Sequence, residues 1–204
     1  MIATSSLPQP AAPAAAHPAP ALRPELVCPA GSLPALKAAV NEGADCVYLG
    51  LRDATNARNF AGLNFDEAAI RSGIAYAHER RCQVFLALNT YPLADDHAPW
   101  RSALDHAAAW GVDAVILADP GLMRYAAARH PELRLHLSVQ GSATNHEAIA
   151  LYHAQFGIRR AVLPRVLSLE QVRQLIERTP VEIEVFGFGS LCVMVEGRCA
   201  LSSY

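Results

Sequence analysis

Cys192 and Cys199, separated by six residues with Gly197 between them, are the two side chains best spaced to hold a common centre. Two thiolates on an irregular loop make half of a four-thiolate metal or iron–sulfur site. The spacing alone leaves redox pairing and plain packing open. Cys28, Cys46 and Cys82 differ, because each lies in or beside a short apolar run where a free cysteine serves as a small hydrophobe. A second group is charged. The stretch 52–60 brings two arginines and two asparagines, among them Asn56 and Arg58, to one long connection. Arginine's planar fork suits a carboxylate or a phosphate, so Asn56 and Arg58 are substrate-binding candidates, with a solvated surface loop as the alternative.

Several familiar chemistries find no support. Gly187-Phe-Gly189-Ser-Leu-Cys192 begins like a glycine-rich phosphate loop, but a cysteine stands where the third glycine belongs. His78-Glu79 and His146-Glu147 lack the second histidine of a zinc-protease helix, and no nucleophile elbow of the Gly-x-Ser-x-Gly type occurs.

These residues need a scaffold, and the apolar pattern supplies one. Short runs at Glu25–Cys28, Asp45–Leu49, Gln83–Leu88, Asp113–Ala118, Arg134–Val139, Arg159–Leu163 and Glu182–Phe186 read as strands. Amphipathic stretches such as Pro34–Glu42, Asp66–Arg80 and His146–Phe156 alternate with them. Ser32, Asn64, Asp119, Thr144 and Ser168 are placed to cap helices, three of them with Glu67, Glu147 or Gln171 at capping-box spacing. Gly43-Ala-Asp-Cys-Val-Tyr-Leu49 is echoed by Gly111-Val-Asp-Ala-Val-Ile-Leu117 and, more loosely, by Gly157–Leu163. Each pairs a helix-ending glycine with a buried strand. Repeated strand–helix units predict an α/β fold of (β/α) TIM-barrel type, with a doubly wound open sheet as runner-up. Seven strands by Phe186 leave too little chain for an eighth unit, so the count predicts a barrel incomplete at its C-terminal end, over 25–204. In such folds ligands sit at the carboxyl ends of strands, which adds Asn89, Gln140 and Arg165 to the substrate-binding candidates. Asp119 at the same end reads first as a helix cap.

Composition bounds the rest. With 52% hydrophobic and 18% charged residues the chain is globular, and its net charge of −2 makes nucleic acid an unexpected partner. Five cysteines, an odd number, argue for a reducing, cytoplasmic setting, and no apolar run is long enough to span a membrane. Residues 1–24 hold eight alanines and six prolines, a composition that predicts a disordered arm.

Four segments carry a resemblance. Glu25-Leu-Val-Cys-Pro-Ala-Gly31, Gly43–Gly50, Ser138-Val-Gln140 and Gly189-Ser-Leu-Cys-Val-Met-Val-Glu-Gly-Arg-Cys199 resemble the collagenase-like peptidase family of unknown catalytic type. Within it, Thr55-Asn-Ala-Arg58, Phe60-Ala-Gly-Leu-Asn-Phe65 and Gly197–Tyr204 are similar to the members that serve anaerobic ubiquinone biosynthesis. That resemblance implies an oxygen-independent hydroxylation system with a [4Fe–4S] cluster in each subunit. It further implies a UbiV-like protein as heterodimer partner, prephenate as hydroxyl donor and a ubiquinone precursor as acceptor. Cys192 and Cys199 match the first two of four cluster ligands, and the other two lie beyond this chain. Catalytic residues are not assigned. Relatives that hydroxylate tRNA or rRNA bases imply one alternative, and a partner-binding scaffold without its own cluster is another.

Overall fold

The structure is a computed structural model, and it describes residues 23–189. Cys192, Cys199 and almost all of the alanine- and proline-rich arm lie outside those residues. Seven strands and six helices alternate along the described chain: β1 (Val27–Pro29), α1 (Leu33–Asn41), β2 (Cys46–Gly50), α2 (Glu67–His78), β3 (Gln83–Leu88), α3 (Ala98–Trp110), β4 (Ala114–Leu117), α4 (Pro120–Arg129), β5 (Leu135–Leu137), α5 (His146–Phe156), β6 (Arg160–Val162), α6 (Leu169–Arg178) and β7 (Glu182–Glu184). A 3-10 turn, Val139–Gly141, follows β5.

All strand pairs are parallel, and the order across the sheet is the order in the chain. A doubly wound sheet would reverse direction at a switch point, so the unbroken sequence of neighbours removes the runner-up. The sheet also curls: Arg160 on β6 pairs with Glu25, just ahead of β1, across 135 residues of chain. The architecture is therefore TIM-barrel-like.

Alternation along each strand divides the side chains between two cores. Val47, Leu49, Val84, Leu86, Leu88, Val115, Leu117, Leu135 and Leu137 face outward and pack under Leu36, Ile70, Leu104, Leu122, Met123 and Ile149 of the helices. Cys46, Phe85, Ala87, Ala114 and Ile116 form the inner cluster, with Val27 and Tyr48 against it. Burial on both faces explains why the central strands read as continuous apolar runs.

Three caps stand where the sequence puts them. Ser32 Oγ accepts from the Ala35 amide, Asp119 Oδ1 accepts from Leu122 at 2.8 Å, and Ser168 with Gln171 forms a reciprocal capping box. Two are displaced. Asp66, not Asn64, caps α2 by accepting from Ala69, and Asn145, not Thr144, caps α5 by accepting from Ala148. The position three residues after each true cap is alanine, so no box closes and the expected Glu67 and Glu147 sit in the first turn instead. Gly43, Gly111 and Gly157 all have positive φ, as the repeat requires.

Candidate functional site

The connection after β2 is built by its own polar side chains. Asp53 accepts from both the amide and the hydroxyl of Thr55, at 2.9 and 2.6 Å. Asn56 is buried, with Nδ2 donating to the Leu51 carbonyl at 3.2 Å and Oδ1 accepting from the Arg58 amide at 3.0 Å. Its amide thus holds the loop in shape. Gly50 makes room for it: a Cβ there would lie 2.3 Å from Asn56 Nδ2. The next strand end anchors the same loop. Asn89 Oδ1 accepts from the Ala57 amide at 3.0 Å, and Thr90 Oγ1 donates to the Ala54 carbonyl at 2.6 Å while accepting from Trp100 Nε1 at 2.9 Å.

That anchoring sets where Arg58 goes. Arg58 is exposed at the rim, and its positive charge acts on Tyr48, an inward residue of β2. Burial nevertheless holds the Tyr48 phenol above its ordinary value. Gln140 sits in the turn after β5, its carbonyl accepting from Tyr91 Oη at 2.9 Å and its amide donating to Ser138 Oγ at 3.2 Å. Beyond β6, the Arg165 guanidinium lies 4.6 Å from the Phe186 ring centroid. Arg58, Asn89, Gln140 and Arg165 therefore share the carboxyl end of the strand arc, whereas Asn56 serves the loop and Asp119 serves α4.

Beneath that rim lies a charged cluster that reading the sequence alone does not find. Arg160 is buried in the lumen and pairs with Glu25, with Glu182 at 2.6 Å and with Glu184 at 3.3 Å, while Arg134 reaches the other oxygen of Glu182 at 2.6 Å. Burial alone would depress the Arg160 pKa, but its hydrogen bonds to Glu182 and Glu25 hold it above the usual guanidinium range. Glu184 moves the other way: burial raises its pKa, and Arg160 only partly offsets that. The signal in the sequence is the alternation in Arg160-Ala-Val162 and Glu182-Ile-Glu184, which turns every charge to the same face.

His136, on β5, completes the lumen. It is fully buried, and burial, Arg160 and Arg134 push its pKa down to about 3, so the ring is neutral. Nε2 accepts from Arg134 Nε at 3.0 Å, which puts the proton on Nδ1. The ring meets Phe85 edge-on, with centroids 4.7 Å apart.

Two of the described thiols, Cys46 and Cys82, are buried and held in the protonated form. Burial, reinforced by the charge of Glu25, pushes Cys46 up to about 12, and burial pushes Cys82 up to about 11. Thiolates are the ligating and nucleophilic form, and both groups stay protonated at neutral pH. Among the described residues no three His, Cys, Asp or Glu side chains gather to hold a metal ion. We predict that native protein treated with iodoacetamide at pH 8 leaves Cys46 and Cys82 unmodified, while urea-unfolded protein takes label at both. Mass spectrometry of tryptic peptides checks this.

The sequence profile of peptidase family U32 matches residues 31–204. The chain belongs to peptidase family U32. This U32 chain is 38% identical over 185 residues to an uncharacterized protease of Methanocaldococcus jannaschii, covering 88% of the chain and 44% of that protein. It is 35% identical over 184 residues to the tRNA hydroxylation protein P of Escherichia coli K12, covering 89% of the chain and 40% of that protein. The chain thus spans about two fifths of the length of these curated relatives. A U32 peptidase of solved structure superposes with a TM-score of 0.66 at 20% identity, covering 83% of this chain and 72% of that one, which supports the fold. No helix among the described residues is long and apolar enough to cross a membrane. A relative named for tRNA stands against the expectation, drawn from net charge, that nucleic acid is no partner. The charge of −2 belongs to 204 residues, and the field of a longer protein is not set by them alone.

Proposed function

We propose that this chain forms the substrate-holding part of a UbiU-like subunit, an oxygen-independent hydroxylase component of anaerobic ubiquinone biosynthesis. It acts with a UbiV-like partner, takes prephenate as hydroxyl donor and modifies a ubiquinone precursor. The observation that carries this reading is the placement of Arg58. The motif Thr55-Asn-Ala-Arg58 builds a loop whose buried Asn56 aims the following arginine at the rim, where its charge reaches into the lumen. Prephenate bears two carboxylates, and Arg58 after β2 and Arg165 after β6, both at the carboxyl end of the strand arc, have planar forks of the kind that suits a carboxylate.

Cys192 and Cys199 are proposed as two of four ligands to a [4Fe–4S] cluster, while Cys46 and Cys82 are buried in the fold. A bound cluster would supply one-electron transfer. Hydroxylation of an RNA base is the second reading, favoured by the 35% identity to the tRNA hydroxylation protein P.

The test is complementation of a deletion strain grown without oxygen. Arg58→Lys keeps the charge but loses the two-pronged contact, and we expect anaerobic ubiquinone to fall roughly tenfold or more, the loss of one charge-assisted bidentate contact. Wild-type ubiquinone in that strain would overturn the assignment of Arg58.

A further inference from the structure

Arg58 is held by its backbone and left free at its tip. Its amide donates to Asn56 Oδ1 at 3.0 Å, and its carbonyl accepts from Asn64 Nδ2 at 2.7 Å. Its guanidinium makes no hydrogen bond or ion pair among the described residues. Both backbone bonds come from the same connection, so they fix its shape and not its place on the barrel. The ties that hold residues 54–57 to another strand come from the end of β3. β2 and β3 pair in register up to Gly50 and Ala87, which sets Asn89 and Thr90 beside the loop leaving β2. Asn89 Oδ1 accepts from the amide of Ala57, the residue before Arg58, at 3.0 Å. The Thr90 amide donates to the Thr55 carbonyl at 3.4 Å, and its hydroxyl donates to the Ala54 carbonyl at 2.6 Å. Trp100, buried on α3, donates Nε1–H to that hydroxyl oxygen at 2.9 Å. An indole nitrogen only donates, so the Thr90 proton is committed to Ala54. In the same way the Ala57 amide requires an acceptor, which fixes the Asn89 amide group with Oδ1 toward the loop. Asn89 Nδ2 makes no hydrogen bond among the described residues.

We propose that Asn89 is a positioning residue for Arg58: its Oδ1 holds the Ala57 amide so that the guanidinium of the next residue stands at the mouth. This rests on the reading that Arg58 contacts an anionic group of the substrate, and it holds for a carboxylate or a phosphate alike. A two-pronged contact is sensitive to placement, since a shift of about 1 Å in a supporting segment is enough to cost much of the rate. The sequence groups Asn89 with the residues that touch substrate. The two roles make different demands on the side chain. Positioning uses the oxygen alone, whereas contact with an anion uses the Nδ2 donor.

The experiment uses the full-length protein. Complementation of the deletion strain without oxygen measures the hydroxylated product that the deletion abolishes, ubiquinone or an RNA base. Hydrogen-exchange mass spectrometry of the purified variants follows residues 54–60. Asn89→Leu should speed exchange over 54–60, leave the strands β2 to β4 as slow as before, and lower the product roughly fivefold or more. Asn89→Asp keeps an oxygen acceptor in the same place and should stay within about twofold of wild type in both readouts. Loss of product in Asn89→Asp with slow exchange retained means that Asn89 touches the substrate through Nδ2, and it overturns the inference. Unchanged exchange over 54–60 in Asn89→Leu overturns it as well. Product kept in Asn89→Leu but lost in Arg58→Ala sinks the inference alone and leaves Arg58 as the anion contact. Wild-type product in Arg58→Ala sinks the reading of Arg58 itself, and the role of Asn89 with it.

Discussion

Arg160→Met lowers folding stability by about 3 kcal/mol, seen as a reduced urea midpoint with an unchanged slope. The side chain is only 7% exposed and is shared by three carboxylates. Methionine fills much of the volume, so the loss comes from the carboxylates left behind rather than from a cavity. Removing one partner of a buried pair typically costs about 3–5 kcal/mol. The lower end applies here because Glu25 and Glu182 are about half exposed and can turn to water, whereas the Glu184 side chain is 18% exposed and cannot. The pH dependence follows from Glu184. Burial already raises its pKa above the ordinary 4.5, and without Arg160 nothing opposes that rise. A carboxyl raised in the folded state is stabilising when protonated and destabilising once ionised. The deficit of Arg160→Met should therefore be smaller near pH 5 than at pH 7.5, and Glu184→Gln added to it should recover part of the loss. A deficit independent of pH, with no recovery in the double variant, would place the cost elsewhere.

The second large effect concerns iron. If Cys192 and Cys199 hold the proposed cluster, Cys192→Ala and Cys199→Ala in the full-length protein purified without oxygen should each remove nearly all bound iron and the visible absorbance. A four-thiolate cluster does not survive the loss of a ligand it cannot replace, and Cys46 and Cys82 are buried in the fold as packing residues. Cys46→Ala should keep full iron, because that thiol packs in the inner wall beside Phe85. Equal loss of iron in all three variants would end the division of the cysteines into packing and ligating classes.

Much of the scaffold was legible because parallel strands covered on both faces leave a plain mark. Val84–Leu88 and Ala114–Leu117 are buried throughout, and the sequence shows them as unbroken apolar runs. The helix-ending glycines at 43, 111 and 157 needed a left-handed backbone and had it. The two displaced caps show the limit of spacing arguments. Asn64 offered the right residue type, yet its backbone is left-handed at φ 72, and its side chain ties the loop by donating to the Arg58 carbonyl. Asn56 and Arg58 were indistinguishable as candidates, since both are polar members of one loop. Only the backbone path separates the amide that folds inward from the guanidinium that stays at the rim. The lumen cluster was hidden for a different reason. Glu25 and Arg160 meet only because the sheet curls, and no local pattern encodes a contact across 135 residues.

The proposed role in hydroxylating a ubiquinone precursor is distinguished from RNA-base hydroxylation by one gene deletion. Deleting the gene and growing the strain without oxygen allows ubiquinone and the hydroxylated bases of tRNA and rRNA to be measured in the same cells by mass spectrometry. Ubiquinone should collapse while RNA hydroxylation is unchanged, and the intact gene should restore it. Unchanged ubiquinone together with lost hydroxylation of an RNA base would overturn the ubiquinone role in favour of RNA hydroxylation.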